Sequence, residues 1–207
     1  MPARRDMLTG HLSFLHRSWG PLEPFDNAFP ETLKSRDVHS HLVTDHYHYF
    51  EDGGATYHTR YSTFEFVRGQ ESDPWKAMVQ PPWDRLREKY HAHQLQFMDD
   101  VPKHRAHMIN REFIREEKDF PSVQVFAHGL DFLDRNRDAD NWLLQIETFD
   151  PHYGILTLAV RGGRFHMQPD FRAGFFSHFS DGAAESASAA IGDGVKERGF
   201  SAVWISG

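Results

Sequence analysis

Two histidines separated by one residue, His46 and His48, stand where a run of alternating β-branched and polar residues ends. That run, residues 38–44, has the pattern of a strand. Aromatic and acidic residues surround the histidines, and Gly53 and Gly54 close the segment. Imidazole rings donate hydrogen bonds to anions and also coordinate metal ions. The segment therefore indicates either an oxyanion site or a metal centre.

A second chemistry-bearing segment, Asp150-Pro151-His152, follows the apolar run 142–146. Such a run predicts a strand buried on both faces. In wound α/β sheets, ligands bind outside the carboxyl ends of the strands. We therefore expect His152 to lie in the same crevice as His46 and His48.

The remaining elements must position these strand ends. A helix interrupted by Gly10 is predicted over 3–17, and the apolar stripe of 121–137 predicts another. A short helix over 30–35, a strand-like stretch over 63–70, a charged solvated helix or insertion over 83–98, a helix over 104–118 and a further strand over 154–160 complete the pattern. Helices alternating with short apolar strands predict an α/β fold with a wound, mostly parallel sheet flanked by helices.

Composition narrows the function classes. The chain has 207 residues, a formal net charge of −7 and no cysteine. The negative charge argues against a nucleic-acid partner, and the absence of cysteine excludes disulfides and thiolate chemistry within these residues. No stretch approaches the length of a membrane span, and the start lacks the apolar core of a signal peptide, so we expect no membrane partner and a cytoplasmic location.

The segment Pro2-Ala3-Arg4-Arg5-Asp6-Met7-Leu8-Thr9-Gly10 resembles the signature of the sulfatase family. That signature begins with a cysteine or serine two residues before the proline, which places it one residue before Met1. In sulfatases the cysteine becomes formylglycine, whose hydrate attacks the sulfur. The resemblance thus implies a sulfuric ester hydrolase that begins just past its nucleophile and is inactive by itself.

Further segments are similar to a bacterial sulfatase subgroup, namely 44–54, Phe66-Val67-Arg68-Gly69-Gln70 and Asp150-Pro151-His152. The resemblance implies an alkaline-phosphatase-like domain and a small sulfated substrate. It implies catalytic roles for Arg4, His48 and His152, and a substrate-binding role for His46. The resemblance also implies calcium, but the acidic ligands of that ion are not identifiable in this chain.

The resemblance covers about residues 2–152. We therefore expect an incomplete catalytic domain over 1–152 and a divergent, partly disordered Gly/Ala/Ser-rich tail over 153–207. The change at residue 152 suggests a shifted reading frame, in which case another frame of the coding DNA encodes sulfatase-like sequence beyond that codon.

Two alternatives remain open from the residues themselves. One is a metal-dependent hydrolase that uses Asp45, His46 and His48 with Glu51 or Asp52, because a His-x-His pair on a strand places both rings on one face. The other is a non-catalytic module that binds sulfate or another oxyanion.

Overall fold

A parallel sheet of three strands forms the core of the described part of the chain. The computed structural model describes residues 1–13, 16–70, 72–90, 95 and 102–149. Within them, β1 (His39–Thr44) lies between β2 (Thr63–Phe66) and β3 (Trp142–Glu147) and is parallel to both. This part of the chain is therefore α/β, as the sequence predicted.

Five α-helices have described bounds. They are α1 (Pro2–Thr9), α2 (Phe29–Lys34), α3 (Trp83–Arg87), α4 (Pro102–Asn110) and α5 (Pro121–Arg135). Short 3-10 turns occupy Tyr47–Tyr49, His58–Arg60 and Glu117–Asp119. Four of the five α-helices begin with proline at or next to their first position, where its fixed φ suits the helix and its missing N–H costs nothing.

Side chains alternate between the two faces of the sheet along each strand. A separate hydrophobic cluster covers each face. On one face, Val43 of β1 packs with the apolar stripe of α5. The β3 residues in that cluster are Trp142, Leu144 and Ile146. On the other face, Leu42 packs in a cluster that includes Leu8 of α1 and a set of tyrosines, Tyr49, Tyr57 and Tyr61.

The helix predicted over 3–17 was wrong in its length, since α1 ends at Thr9. Gly10 adopts φ 70° and donates its backbone N–H to the Asp6 carbonyl, which terminates the helix in a left-handed cap. The Asp6 carboxylate then accepts hydrogen bonds from the backbone N–H and the hydroxyl of Ser13. The chain therefore leaves the helix axis immediately after Gly10.

Other boundaries also fall short of the predictions. The strand predicted over 63–70 ends at Phe66, and Gly69 follows with φ 107°. The helix predicted over 104–118 ends at Asn110. Further along the chain, the Asp119 carboxylate accepts the backbone N–H groups of Arg115 and Glu116 and starts a separate 3-10 turn. The helix α3 reaches only Arg87 of the stretch 83–98. The strand predicted over 154–160 and the tail 153–207 lie outside the described residues.

Close contact between α5 and β3 makes Gly129 a sensitive position. A Cβ built there would lie 2.4 Å from Cδ1 and 3.0 Å from Cγ1 of Ile146. We expect Gly129→Ala to lower the free energy of unfolding by about 1–3 kcal/mol, the usual cost of overpacking a core. Denaturant unfolding measures this change in free energy.

The Ile146→Val background removes Cδ1, so Gly129→Ala should cost less free energy there. If the effects of the two substitutions were strictly additive, the contact between Gly129 and Ile146 would be contradicted.

Candidate functional site

The candidate site lies where β1 and β3 end side by side. Thr44 and Glu147, the last residues of these strands, are paired in register. Beyond them, the Asp45 carboxylate accepts the backbone N–H of Phe149 at 2.7 Å and ties the two outgoing segments together. The prediction that both strands end at one edge is thus confirmed. His152, three residues further on, lies outside the described residues.

Glu147 is the polar group to which other side chains of this edge bond, and it was not among the residues predicted from the sequence. Its carboxylate is fully buried and accepts a hydrogen bond at Oε1 from Arg4 Nε at 2.7 Å and at Oε2 from the Tyr49 hydroxyl at 2.6 Å. A buried carboxylate needs both opposite charge and hydrogen bonds. Burial and the Glu147 charge together raise the pKa of Tyr49 well above its usual range, so the phenol remains a donor.

A signal for Glu147 was present in the sequence. It is the acidic last residue of a run that is otherwise apolar except for Gln145. In a strand buried on both faces, such an acid requires a cation or several donors. The same reasoning applies to Gln145, whose Oε1 accepts the Tyr61 hydroxyl at 2.6 Å.

His46 lies inside the protein, packed among aromatic rings. Its side chain stacks on Phe149 with ring centroids 4.7 Å apart, and it meets Tyr49 at 5.0 Å. Only 1% of the residue is exposed. Its backbone N–H donates to the Thr44 hydroxyl at 3.0 Å, which turns the chain as β1 ends. The His46 ring is therefore held in a fixed position beneath the surface at the carboxyl edge of the sheet.

His48 lies nearer the surface, within the 3-10 turn Tyr47–Tyr49. Its side chain is 20% exposed and its Nδ1 pairs with the Glu51 carboxylate. The ring centroid lies 5.2 Å from that of His46, with the planes at 84°, and 5.9 Å from that of Trp19. Of the two histidines, His48 is the one that a molecule arriving from solvent can contact.

The expectation that the His-x-His pair lies on a strand was wrong. The strand β1 ends at Thr44, two residues before His46, and the 3-10 turn rotates the two rings nearly perpendicular to each other. One strand face therefore does not present both imidazoles.

The described residues do not fit a metal centre. Among them, no group of three or more histidine, aspartate or glutamate side chains is arranged to hold an ion. Asp45 Oδ1 instead accepts the Phe149 N–H, and Glu51 pairs with His48. No observation on this part of the chain favours the metal-hydrolase interpretation or places the calcium that the resemblance implies.

The structure brings three of the four sequence-predicted residues to one edge. Arg4 and Tyr49 meet on Glu147, Tyr49 packs against His46, and His46 packs against His48. The fourth residue, His152, follows Phe149, which stacks on His46.

Comparisons with known proteins found no match for this chain. No protein-family model matches the chain, and neither a curated protein nor a solved structure matches it. Across the described ranges, none of the helices combines the length and apolar character required to cross a membrane. The resemblance to sulfatases therefore stays a prediction.

Replacing Glu147 by glutamine tests its central position. Glutamine keeps the shape but removes the negative charge that faces Arg4, so we expect the free energy of unfolding to fall by about 1.5–3 kcal/mol. Chemical denaturation measures the change. The matched control is Glu31→Gln, because the Glu31–Arg60 ion pair is solvent-exposed and should contribute less than about 1 kcal/mol. Equal losses in the two variants would contradict the assignment.

Because of its buried tyrosines, we expect the folded protein to lose free energy of unfolding at alkaline pH. Burial and the charge of Glu147 raise the pKa values of Tyr49 and Tyr61 in the folded state, so unfolding releases their protons above the usual tyrosine pKa of about 10. The stabilisation is complete below about pH 10 and is lost as the pH rises above it. Between about pH 9 and 11, we expect the free energy of unfolding to fall less in Tyr49→Phe than in the wild-type chain. An unchanged slope would contradict the prediction.

Proposed function

We propose that this chain is a sulfatase-type protein whose sheet edge binds the sulfate group of a small sulfated substrate. The observation that carries the proposal is the meeting of Arg4, His46 and His48 around Glu147 and Tyr49 at the carboxyl edge of the sheet. Arg4 belongs to one sulfatase-like segment and the histidines to another, and the two segments are far apart in sequence. Their convergence supports a common ancestry with the alkaline-phosphatase-like sulfatases.

Arg4 has the charge and geometry for an oxyanion. A sulfate ester spreads negative charge over three terminal oxygens, and the bridging oxygen gains charge as its bond to sulfur breaks. Fixed cationic donors stabilise such charge best because they need no reorganisation. Glu147 accepts the Nε–H of Arg4 and so fixes the plane of the guanidinium.

In this proposal His48 is a hydrogen-bond donor to the bound sulfate group. In the tautomer protonated at Nδ1, the His48 ring donates to the Glu51 carboxylate, which fixes the orientation of the ring. When Nε2 also carries a proton, it can donate a hydrogen bond to a sulfate oxygen; in a sulfatase that has its nucleophile, the same proton would pass to the leaving oxygen. The resemblance makes His152 a second proposed sulfate contact, and His46, whose ring centroid lies 5.2 Å from that of His48, is proposed as a substrate-binding residue.

The nucleophile is missing from this scheme. In the family, formylglycine forms at the first residue of the signature, and that position is not among these 207 residues. We therefore propose that this chain by itself binds sulfate and sulfate esters without hydrolysing them. The sulfatase assignment concerns its family, and oxyanion binding is the chemistry that its own residues retain.

Titration calorimetry with sodium sulfate at low ionic strength and about pH 6 tests the proposal. Histidine is largely protonated there, since its usual pKa is about 6.5. We expect binding that weakens about tenfold in His48→Ala, the usual effect of losing a hydrogen bond from a charged group. His39→Ala is the matched control, because His39 starts β1 at the opposite edge of the sheet.

Two outcomes would contradict parts of this proposal. Absence of sulfate binding, or equal weakening by His39→Ala and His48→Ala, would exclude the oxyanion site at this edge. Hydrolysis of an aryl sulfate by the purified chain would instead show that a nucleophile other than formylglycine is present.

A further inference from the structure

Trp19 is a large aromatic side chain that remains 44% exposed beside His48. The two ring centroids lie 5.9 Å apart and the planes are nearly perpendicular at 89°. Single exposed apolar residues are common on protein surfaces and need no functional explanation. Trp19 differs from the exposed Leu12, Phe25 and Val79 in how firmly it is fixed next to the candidate site.

A buried arginine holds the backbone on both sides of Trp19. Arg5 donates from Nη1 to the carbonyl of Ser18 at 3.1 Å and from Nη2 to that of Gly20 at 3.1 Å. The Tyr57 hydroxyl donates to the same Gly20 carbonyl at 2.9 Å. Arg5 is only 2% exposed, so these charge-assisted bonds form away from competing water. The loop that carries the indole is therefore anchored to α1.

Two glycines admit the indole to the segment that follows His48. A Cβ on Gly53 would lie 3.3 Å from Trp19 Cζ3, and one on Gly54 would lie 3.3 Å from Trp19 Cη2. The Gly54 Cβ would also lie 1.9 Å from the carbonyl oxygen of His48. The absence of both side chains thus lets the indole and the His48 turn approach the same short stretch of backbone.

We propose that Trp19 is a specificity-determining residue that contacts a planar ring attached directly to the sulfate of the substrate. This inference rests on the proposed function. Aromatic rings pair favourably at centroid separations of about 4.5–7 Å, so a ring joined to a sulfate at His48 lies within reach of the indole. The site therefore selects esters with a flat ring over esters of simple alkyl alcohols.

Calorimetry with four probes tests the inference: inorganic sulfate, ethyl sulfate, choline sulfate and 4-nitrophenyl sulfate. In the wild-type chain we expect 4-nitrophenyl sulfate to bind about tenfold more tightly than ethyl sulfate, the size of a favourable aromatic contact. Trp19→Ala should abolish that difference and leave inorganic sulfate unchanged, whereas Trp19→Phe should retain most of it. Phe25→Ala, in the same loop and 73% exposed, is the matched control and should change neither ligand.

A measurement on the wild-type chain makes the test independent of the stability of Trp19→Ala. Saturation of the Trp19 indole protons, assigned by their absence from the spectrum of Trp19→Phe, should transfer to the ring protons of 4-nitrophenyl sulfate. No transfer would overturn the inference.

The other outcomes separate the inference from the function on which it rests. If the wild-type chain binds inorganic sulfate but prefers ethyl or choline sulfate, or if Trp19→Ala weakens all four ligands equally, the role of Trp19 is overturned and the oxyanion site stands. If the wild-type chain binds none of the four probes, the proposed function and the role of Trp19 fall together.

Discussion

The carboxylate of Glu147 is the group on which the geometry of the sheet edge depends. A buried negative charge is stable only when a cation and hydrogen-bond donors surround it. Arg4 reaches it from the first helix, Tyr49 from the turn after β1, and Glu147 itself ends β3. Three segments that are distant along the chain must therefore meet at one point. Their meeting fixes how α1 lies on the sheet and where the turn carrying His48 leaves it.

The two faces of the sheet are different in character, and the site follows from that difference. The face under α5 is purely apolar along β3, with Trp142, Leu144 and Ile146. The face under α1 carries Gln145 and Glu147, each hydrogen-bonded to a tyrosine hydroxyl. Tyrosine suits this layer because its ring packs like an apolar residue while its hydroxyl satisfies a buried acceptor. The polar edge of the sheet is thus continuous with the half of the core that is lined by tyrosines.

The adjacent arginines of α1 have separate tasks because successive helical residues point about 100° apart. Arg4 points to the strand end and bonds Glu147. Arg5 points to the following loop and bonds the carbonyls that flank Trp19. One short helix therefore orients both the cation and the exposed indole of the candidate site. Its early termination at Gly10 leaves room for the loop to return beside His48.

Local pattern determined much of the architecture. The alternation before His46, the apolar run 142–146 and the stripe of 121–137 predicted β1, β3 and α5, and the strands do end at a shared edge. These features follow from side-chain periodicity and from backbone restrictions at proline and glycine, which act within a few residues. The same local pattern marked His46 and His48 as candidate site residues, whereas Arg4 was marked only by the resemblance of its segment to the sulfatase signature.

The tertiary structure decided the contacts between them. Arg4 and Glu147 are separated by 143 positions, so their ion pair depends on which strands are neighbours and on the face where α1 packs. Only that packing buries His46, exposes His48 and brings Trp19 to its side. A sequence specifies the charge and the ring of each residue, but the distances between residues far apart in the chain arise when strands pair and helices cover them.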